Sequence, residues 1–328
     1  ASVSEGEMVE GVRYLWIKSP SYSGNGIGRI KSIVAFLFRL SKLERRLKGE
    51  AFNTIIASST YPFDNVVAHK FAKHWNATHL YEVHDLWPLS PMELRASSAT
   101  NPFILATQLA ENYSYKNCDA VISILPYAES HMREHGLMPG KFNHIPNGIV
   151  IDDWSSSIEM PAKSKDAIKL FRNGRFLIGY AGAHGIANAL DNLIEAAALV
   201  PDVGFVLVGQ GTEKDRLMEK ARDLGNVLFL DPIPKKAIPS FLCLMDALFI
   251  GSNKSILYRY GTSPNKVFDY MMAGKPIINA MDGPAGIIEI SKCGLTVPAC
   301  DSEELAKVIQ SLKAMDDATR DAMGRNGH

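Results

Sequence analysis

The sequence lacks the features that mark several common function classes. Its four cysteines, Cys118, Cys243, Cys293 and Cys300, form no C-x-x-C pair, so the spacing of a zinc finger or ribbon is absent. Scattered in this way they read as reduced thiols, mostly in or near the core of a cytoplasmic protein. Lys and Arg number 35, as do Asp and Glu, and the formal net charge is zero. That balance argues against a nucleic-acid binder working by bulk charge. No uninterrupted apolar run approaches the roughly 20 residues of a membrane span, and no signal-peptide pattern opens the chain. There are no internal repeats and no low-complexity segment. The first residue is Ala, and "ASVSEGEMVEG" begins abruptly, so an absent N-terminal segment is expected.

What is present suits compact folding. The chain has 328 residues, 46% of them apolar, which points to two domains of roughly 100 to 200 residues. Strand signals fall at 12–17, 52–59, 78–85, 119–125 and 142–148. Helical spacing of apolar residues runs over 29–49, 64–76 and 102–118. The polar stretch "DDWSSSIEMPAKSKDA" (152–167) marks a boundary, giving domains 1–153 and 154–328. Beyond it, short strands at 176–182, 203–209, 226–231, 246–251, 275–280 and 294–299 are separated by helical stretches such as 189–200 and 212–225. Such alternation implies parallel sheets covered on both faces. The expected fold class is α/β, with two Rossmann-like domains and a cleft between them. Ligands of open α/β sheets bind outside the carboxyl ends of the strands.

One stretch carries more than fold. "YRYGTSPNKVFDYMMAGKPII" (258–278) predicts a short helix with Thr262 or Ser263 as N-cap and Pro264 at the first helical position. Free N–H groups in that first turn favour an anion. Lys266 and Asp269, three apart, share a face. Lys266 is placed to neutralise a phosphate, and Asp269 to accept hydrogen bonds from ribose hydroxyls. An ordinary capped helix with a surface ion pair fits the same letters. "GAHG" (182–185) lies between a strand and a helix, where glycines let a phosphate approach or simply make a tight turn. "SYSGNGIGR" (21–29) is another glycine-rich loop before a helix. The acidic partner of a dinucleotide fingerprint is missing from "TIIASST" (54–60), so Asn25, Gly26 and Arg29 are assigned to an acceptor or a phosphate. The helical stretch after it carries Arg29, Lys31, Arg39, Lys42, Arg45, Arg46 and Lys48 beside Phe36 and Phe38. That pattern fits an anionic membrane surface or a solvated face of a core helix.

"SPNKVFDYMMAGKPII" resembles the donor-binding signature of glycosyltransferase family 4, which has the GT-B fold. "IPNGIVIDDW" (145–154), "IGYAGAHGIANALDNLIEAA" (178–197), "FVLVGQGTEKDRL" (205–217) and "NVLFLDPIPKKAIPSFLCLMDALFI" (226–250) resemble further family segments in the same order. "GNGIGR" (24–29) and "HDLWPLSP" (84–91) resemble the branch that builds bacterial surface polysaccharides, O-antigen and capsule among them. The resemblance covers most of the chain and is strongest over 140–300. The family's two acidic residues, with seven residues between them, fall on Gly261 and Asp269, so the first is absent. Backbone N–H groups in the segment Gly261, Thr262, Ser263, Pro264 and Asn265 are then expected to replace it at the donor sugar, from every residue but the proline. The Arg and Lys that the family often places after its first C-domain strand read Ala183 and Asn188 here. Lys266 therefore takes more of the diphosphate charge, helped by Arg259 or His184.

The same resemblance implies the remaining roles. Gly182, His184 and Gly185 with Gly209 and Gly211 border the nucleotide, and Asp231 and Ile233 the base. His84 faces the transferred sugar. The expected activity is retaining, metal-independent transfer of a hexose or N-acetylated aminosugar from a UDP-sugar to a lipid-linked or glycan acceptor. His84 and Lys266 act in it, with no cofactor and no nucleic-acid partner. No D-x-D occurs in the chain, which fits a reaction without a catalytic metal. The expected location is cytoplasmic, or peripheral on the cytoplasmic membrane. The family usually continues past the point where this chain stops at "MGRNGH", so a segment is expected to be absent there too. Two other readings use the same residues: a non-catalytic nucleotide-sugar-binding module, and a UDP-sugar 2-epimerase of similar fold. The second needs acidic residues placed for proton transfer at C2, and none is evident.

Overall fold

The computed structural model describes residues 6–23, 26–95, 98 and 100–328. The chain forms two compact units, Ala1–Ile145 and Pro146–His328. In the first, strands β1 (Glu7–Val9) and β2 (Val12–Tyr14) make an antiparallel hairpin. Strands β3 (Thr54–Ala57), β4 (Thr78–Val83), β5 (Ala120–Ser123) and β6 (Phe142–His144) form a parallel sheet in sequential order. Helices Asp64–Trp75 and Pro102–Asn117 fall on the predicted stretches. Asn101 caps the second through its Oδ1, which accepts from Phe103 N at 2.9 Å, and Pro102 follows at a position that needs no donor.

Two expectations for this unit change. The strand signal at 12–17 does not feed the parallel sheet. Glu10 and Gly11 both take positive φ and close a tight turn, so β2 pairs with the residues just before it. The helical signal over 29–49 is interrupted. The helix runs Ile27–Leu40, and a single 3-10 turn, Leu43–Arg45, follows. At the break, Ser41 turns its hydroxyl onto the Phe38 carbonyl, a local bond that competes with helix continuation. Leu43 and Leu47 then bury against Val67 and Phe71.

The second unit holds six parallel strands: β7 (Phe176–Ala181), β8 (Val203–Val208), β9 (Val227–Leu230), β10 (Ala247–Gly251), β11 (Ile277–Ala280) and β12 (Gly294–Val297). Their order is β12-β11-β10-β7-β8-β9, that of a doubly wound sheet. Every residue of β8 is buried. Phe205 and Leu207 enter one apolar cluster and Val206 and Val208 the other, so both faces are covered, as the near-continuous apolar strands predict. Strand order reverses between β7 and β10, and the loops leaving their carboxyl ends diverge there. That switch point is where open α/β sheets bind ligands.

The polar stretch 152–167 is not all linker. Helices Ile151–Ser155 and Ala162–Arg172 use part of it, and Ile168 and Met160 are buried in the core. Few apolar residues suffice, because a single stripe anchors the helix. Among the described residues no helix is long and apolar enough to cross a membrane. Cys118 and Cys293 are buried, whereas Cys243 and Cys300 are exposed, so only half of the thiols are core.

Candidate functional site

The helix start read from 258–278 lies at the switch point, but it is capped differently from expectation. The helix runs Asn265–Met272 with Pro264 as its N-cap, and no side chain bonds the first-turn amides. Ser263 is diverted: its Oγ accepts from the Asn147 backbone N–H at 2.9 Å, and its carbonyl accepts from Asn147 Nδ2. Asn147 comes from the "IPNG" segment and outcompetes the helix for the serine. Thr262 makes no cap either. Pro264 thus stands one place before the first helical position. The helix start keeps amides open to an outside acceptor, as helix N-termini do without a capping side chain. Gly261 ends the preceding 3-10 turn, Ile256–Tyr260, at φ 82°, a conformation that favours glycine.

Lys266 reaches from this helix to the loop after β7. Its Nζ donates to Tyr180 Oη at 3.1 Å and to Asn188 Oδ1 at 2.8 Å, and it lies 4.6 Å from the Tyr180 ring centroid. These partners are neutral. Burial lowers its pKa from 10.5 to about 8, because nothing anionic offsets the lost hydration. Among the described residues no salt bridge joins it to Asp269, so the surface ion pair that the spacing allowed is not made. Asp269 is half-buried, its carboxyl pushed up by burial and eased by Lys235. Sequence reasoning treated Asn188 as a departure from the family and overlooked Tyr180. The tyrosine sits inside an apolar strand, where no local pattern sets it apart.

The glycines of the two neighbouring loops answer first to packing. Gly209 sits at φ 148°, and a Cβ there would lie 1.9 Å from the Gly182 carbonyl oxygen. A Cβ on Gly211 would lie 2.2 Å from the His184 oxygen. The backbones touch because His184 N donates to Gln210 O at 2.9 Å and Glu213 N to His184 O at 3.0 Å. Gly182, at φ 153°, would present a Cβ 3.2 Å from Lys266 Nζ. Gly185 has open space around it.

His184 is fully buried, and neither ring nitrogen has a partner. Burial, with Lys214 and Lys266 nearby, lowers its pKa to about 4. It is neutral at pH 7, so it cannot share the diphosphate charge as a cation, contrary to expectation. Arg259 stacks on the ring of its neighbour Tyr260, 4.7 Å from the centroid, and donates to that hydroxyl. After β9, the exposed Asp231 carboxylate accepts from buried Lys214 at 3.2 Å. The same ammonium donates to the Gly209 and Leu230 carbonyls and so fixes the ends of β8 and β9. Ile233 is partly buried against the core.

In the first unit, His84 follows β4 and its Nε2 lies 3.1 Å from Ser58 Oγ at the end of β3. Ser58 also donates to Glu82, whose carboxylate is 3.6 Å from His84 Nε2. Ser58 and Glu82 were not singled out in the sequence, because only adjacency of two strand ends brings them to the histidine. Arg29 lies 5.4 Å from the Trp87 ring centroid, so the start of helix Ile27–Leu40 meets the loop carrying His84. Gly26 is that helix's N-cap and makes no side-chain cap. Asn25 lies outside the described residues.

Comparison with known proteins gives the family and the fold. Residues 162–328 match the family model described as glycosyl transferases group 1, and residues 7–153 match Glycosyltransferase Family 4. The chain belongs to the glycosyl transferases group 1 family. It is 27% identical over 228 residues to TuaH of Bacillus subtilis (strain 168), named as a teichuronic acid biosynthesis glycosyltransferase, covering 68% of this chain and 52% of that protein. It is 28% identical over 194 residues to LpsE of Rhizobium meliloti (strain 1021), named for lipopolysaccharide core biosynthesis, covering 57% of this chain and 50% of that protein. The chain thus spans about half the length of these curated relatives. Its fold is similar to that of Anabaena HepE, solved with UDP and glucose. There the TM-score is 0.64 at 19% identity, over 94% of this chain and 78% of that one.

Proposed function

We propose that the chain transfers a sugar from a UDP-sugar to a lipid-linked or glycan acceptor during assembly of a surface polysaccharide. The observation that carries this reading is Lys266: a half-buried ammonium with neutral partners, beside an uncapped helix start, at the strand-order reversal of a doubly wound sheet. A diphosphate supplies the missing negative charge. TuaH and LpsE, both named for surface-polysaccharide synthesis, support the acceptor class, and the UDP bound to HepE supports the nucleotide.

In the proposed retaining reaction the bond between the sugar's C1 and the diphosphate oxygen breaks, and a bond from C1 to the acceptor oxygen forms on the same face. The acceptor's proton passes to the departing diphosphate. The Lys266 ammonium and the helix amides stabilise the charge that develops there, so this scheme uses no metal. Asp269 receives the ribose hydroxyls. His84, held by Ser58 and Glu82, is assigned to the transferred sugar, and Arg29 with Gly26 to the acceptor. Ile27, Val34 and Phe38 are exposed on helix Ile27–Leu40, and Lys42 Nζ stands 3.8 Å from the Phe38 ring centroid. An apolar stripe edged by ammonium groups suits peripheral contact with an anionic membrane, which fits a lipid-linked acceptor.

Asp269→Ala is expected to weaken UDP binding roughly 10-fold or more, the worth of a hydrogen bond to a charged group. Calorimetry with UDP and 2′-deoxy-UDP checks the assignment. The parent should prefer UDP, and the variant should lose that preference while unfolding at the parent's temperature. Incubation with UDP-sugars and a lipid-linked acceptor tests the function itself. UDP release that depends on acceptor is expected, whereas binding without turnover would mark a non-catalytic module and interconverted sugars an epimerase.

A further inference from the structure

We propose that the first unit holds a zinc ion between helices Pro102–Asn117 and Glu129–Glu134, ligated by Glu111, His131 and His135. One ligand atom from each lies within 4.8 Å of the others. The two histidines are four apart, one on the second helix and one at its C-cap, so they project on the same side, with ring centroids 4.5 Å apart. Glu111 is fully buried and His131 nearly so. A carboxylate taken out of water needs a cation or a full set of donors.

Contacts around the cluster already have the outline of a metal site. His131 Nε2 is 2.9 Å from Glu111 Oε1, a hydrogen bond that would open to an edge of roughly 3.3 to 3.6 Å around a tetrahedral zinc ion with ligands about 2.0 to 2.2 Å away. The amide nitrogen of Gln108 donates to Glu111 Oε2 at 2.7 Å and Asn112 Oδ1 at 2.9 Å and lies 2.9 Å from His135 Nδ1, which is itself 3.0 Å from Asn112 Oδ1. With Nδ1 unprotonated, a cation beside Glu111 and His135 takes the place of these bonds as the partner of both. Turning the Gln108 amide over presents its carbonyl oxygen as a fourth ligand. Two imidazoles and one carboxylate suit zinc over calcium or magnesium. Cysteine spacing carries no sign of the site, since no cysteine takes part. The ion would clip the two helices together, and the site shares no residue with those assigned to sugar transfer.

The test uses the full chain, free of any histidine tag and stripped with a chelator. Titration with Zn²⁺ should give one ion per chain with a Kd below about 10 µM and a higher unfolding temperature. Co²⁺ in its place should show the intense visible bands of a tetrahedral site with nitrogen ligands. His135→Ala and His131→Ala should each weaken binding at least ~10-fold. His135 is only part-buried, so its variant is informative even if the His131 variant folds poorly. No stoichiometric binding to the folded parent, or binding that His135→Ala leaves unchanged, would overturn the proposal.

Discussion

Lys266→Met should lower UDP affinity by ~100-fold or more, the scale of a charge-assisted contact in a partly buried site, and leave the protein at least as stable as the parent. The second half of that expectation follows from the lysine's surroundings. Its pKa falls from 10.5 to about 8 through burial alone, so folding at neutral pH carries a penalty of roughly 3 kcal/mol for the ammonium. Methionine keeps the aliphatic bulk and removes that penalty, at the cost of two hydrogen bonds to Tyr180 and Asn188. The sign of the pH dependence follows. Between about pH 8 and 10.5 the folded chain sheds this proton before the unfolded chain does, so parent stability rises with pH through that window. Lys266→Met lacks the rise. UDP affinity of the parent should fall above about pH 8, as the cation that meets the diphosphate is lost, and the variant's affinity should not follow. Urea unfolding and UDP calorimetry across pH 7 to 10 check both. A variant that unfolds more easily and binds UDP as before would make Lys266 a structural residue.

The second large effect concerns the glycine loops. Gly209→Ala should destabilise the protein by roughly 3 kcal/mol or more, because the new Cβ would lie 1.9 Å from the Gly182 carbonyl oxygen, at φ 148°. Gly185→Ala should cost little, roughly 0.5 kcal/mol or less, since nothing stands within 4 Å of its Cβ position. The contrast separates two reasons for glycine that look alike as letters. Gly209 and Gly211 are needed because two backbones touch. Gly185 is free to serve a ligand, and its alanine variant should lose UDP affinity without losing stability if a phosphate lies against it. Equal unfolding midpoints for the two variants would contradict the packing argument.

The doubly wound sheet was legible because its strands are buried on both faces and read as apolar runs, as Val203–Val208 shows. The hairpin Glu7–Tyr14 was not, because an apolar run does not say which neighbour it pairs with, and the turn at Glu10 and Gly11 decided that locally. At the candidate site, Lys266 and the helix start could be read from one continuous stretch. The cap could not: Ser263 is taken by Asn147, more than 100 residues earlier. Tyr180 escaped for the same reason, as its role comes from Lys266 reaching it across the unit. His184 was legible as a position but not as a charge state, since its neutrality comes from burial beside Lys214 and Lys266. Glu111, His131 and His135 meet only once two helices pack, and their letters form no recognised motif.

The most direct test of the central claim is a crystal structure of the full chain with UDP. The account predicts the diphosphate against the amides of Asn265 and Lys266, with an oxygen within about 3.5 Å of Lys266 Nζ and the ribose hydroxyls on Asp269. UDP bound elsewhere, with Lys266 still held only by Tyr180 and Asn188, would contradict it.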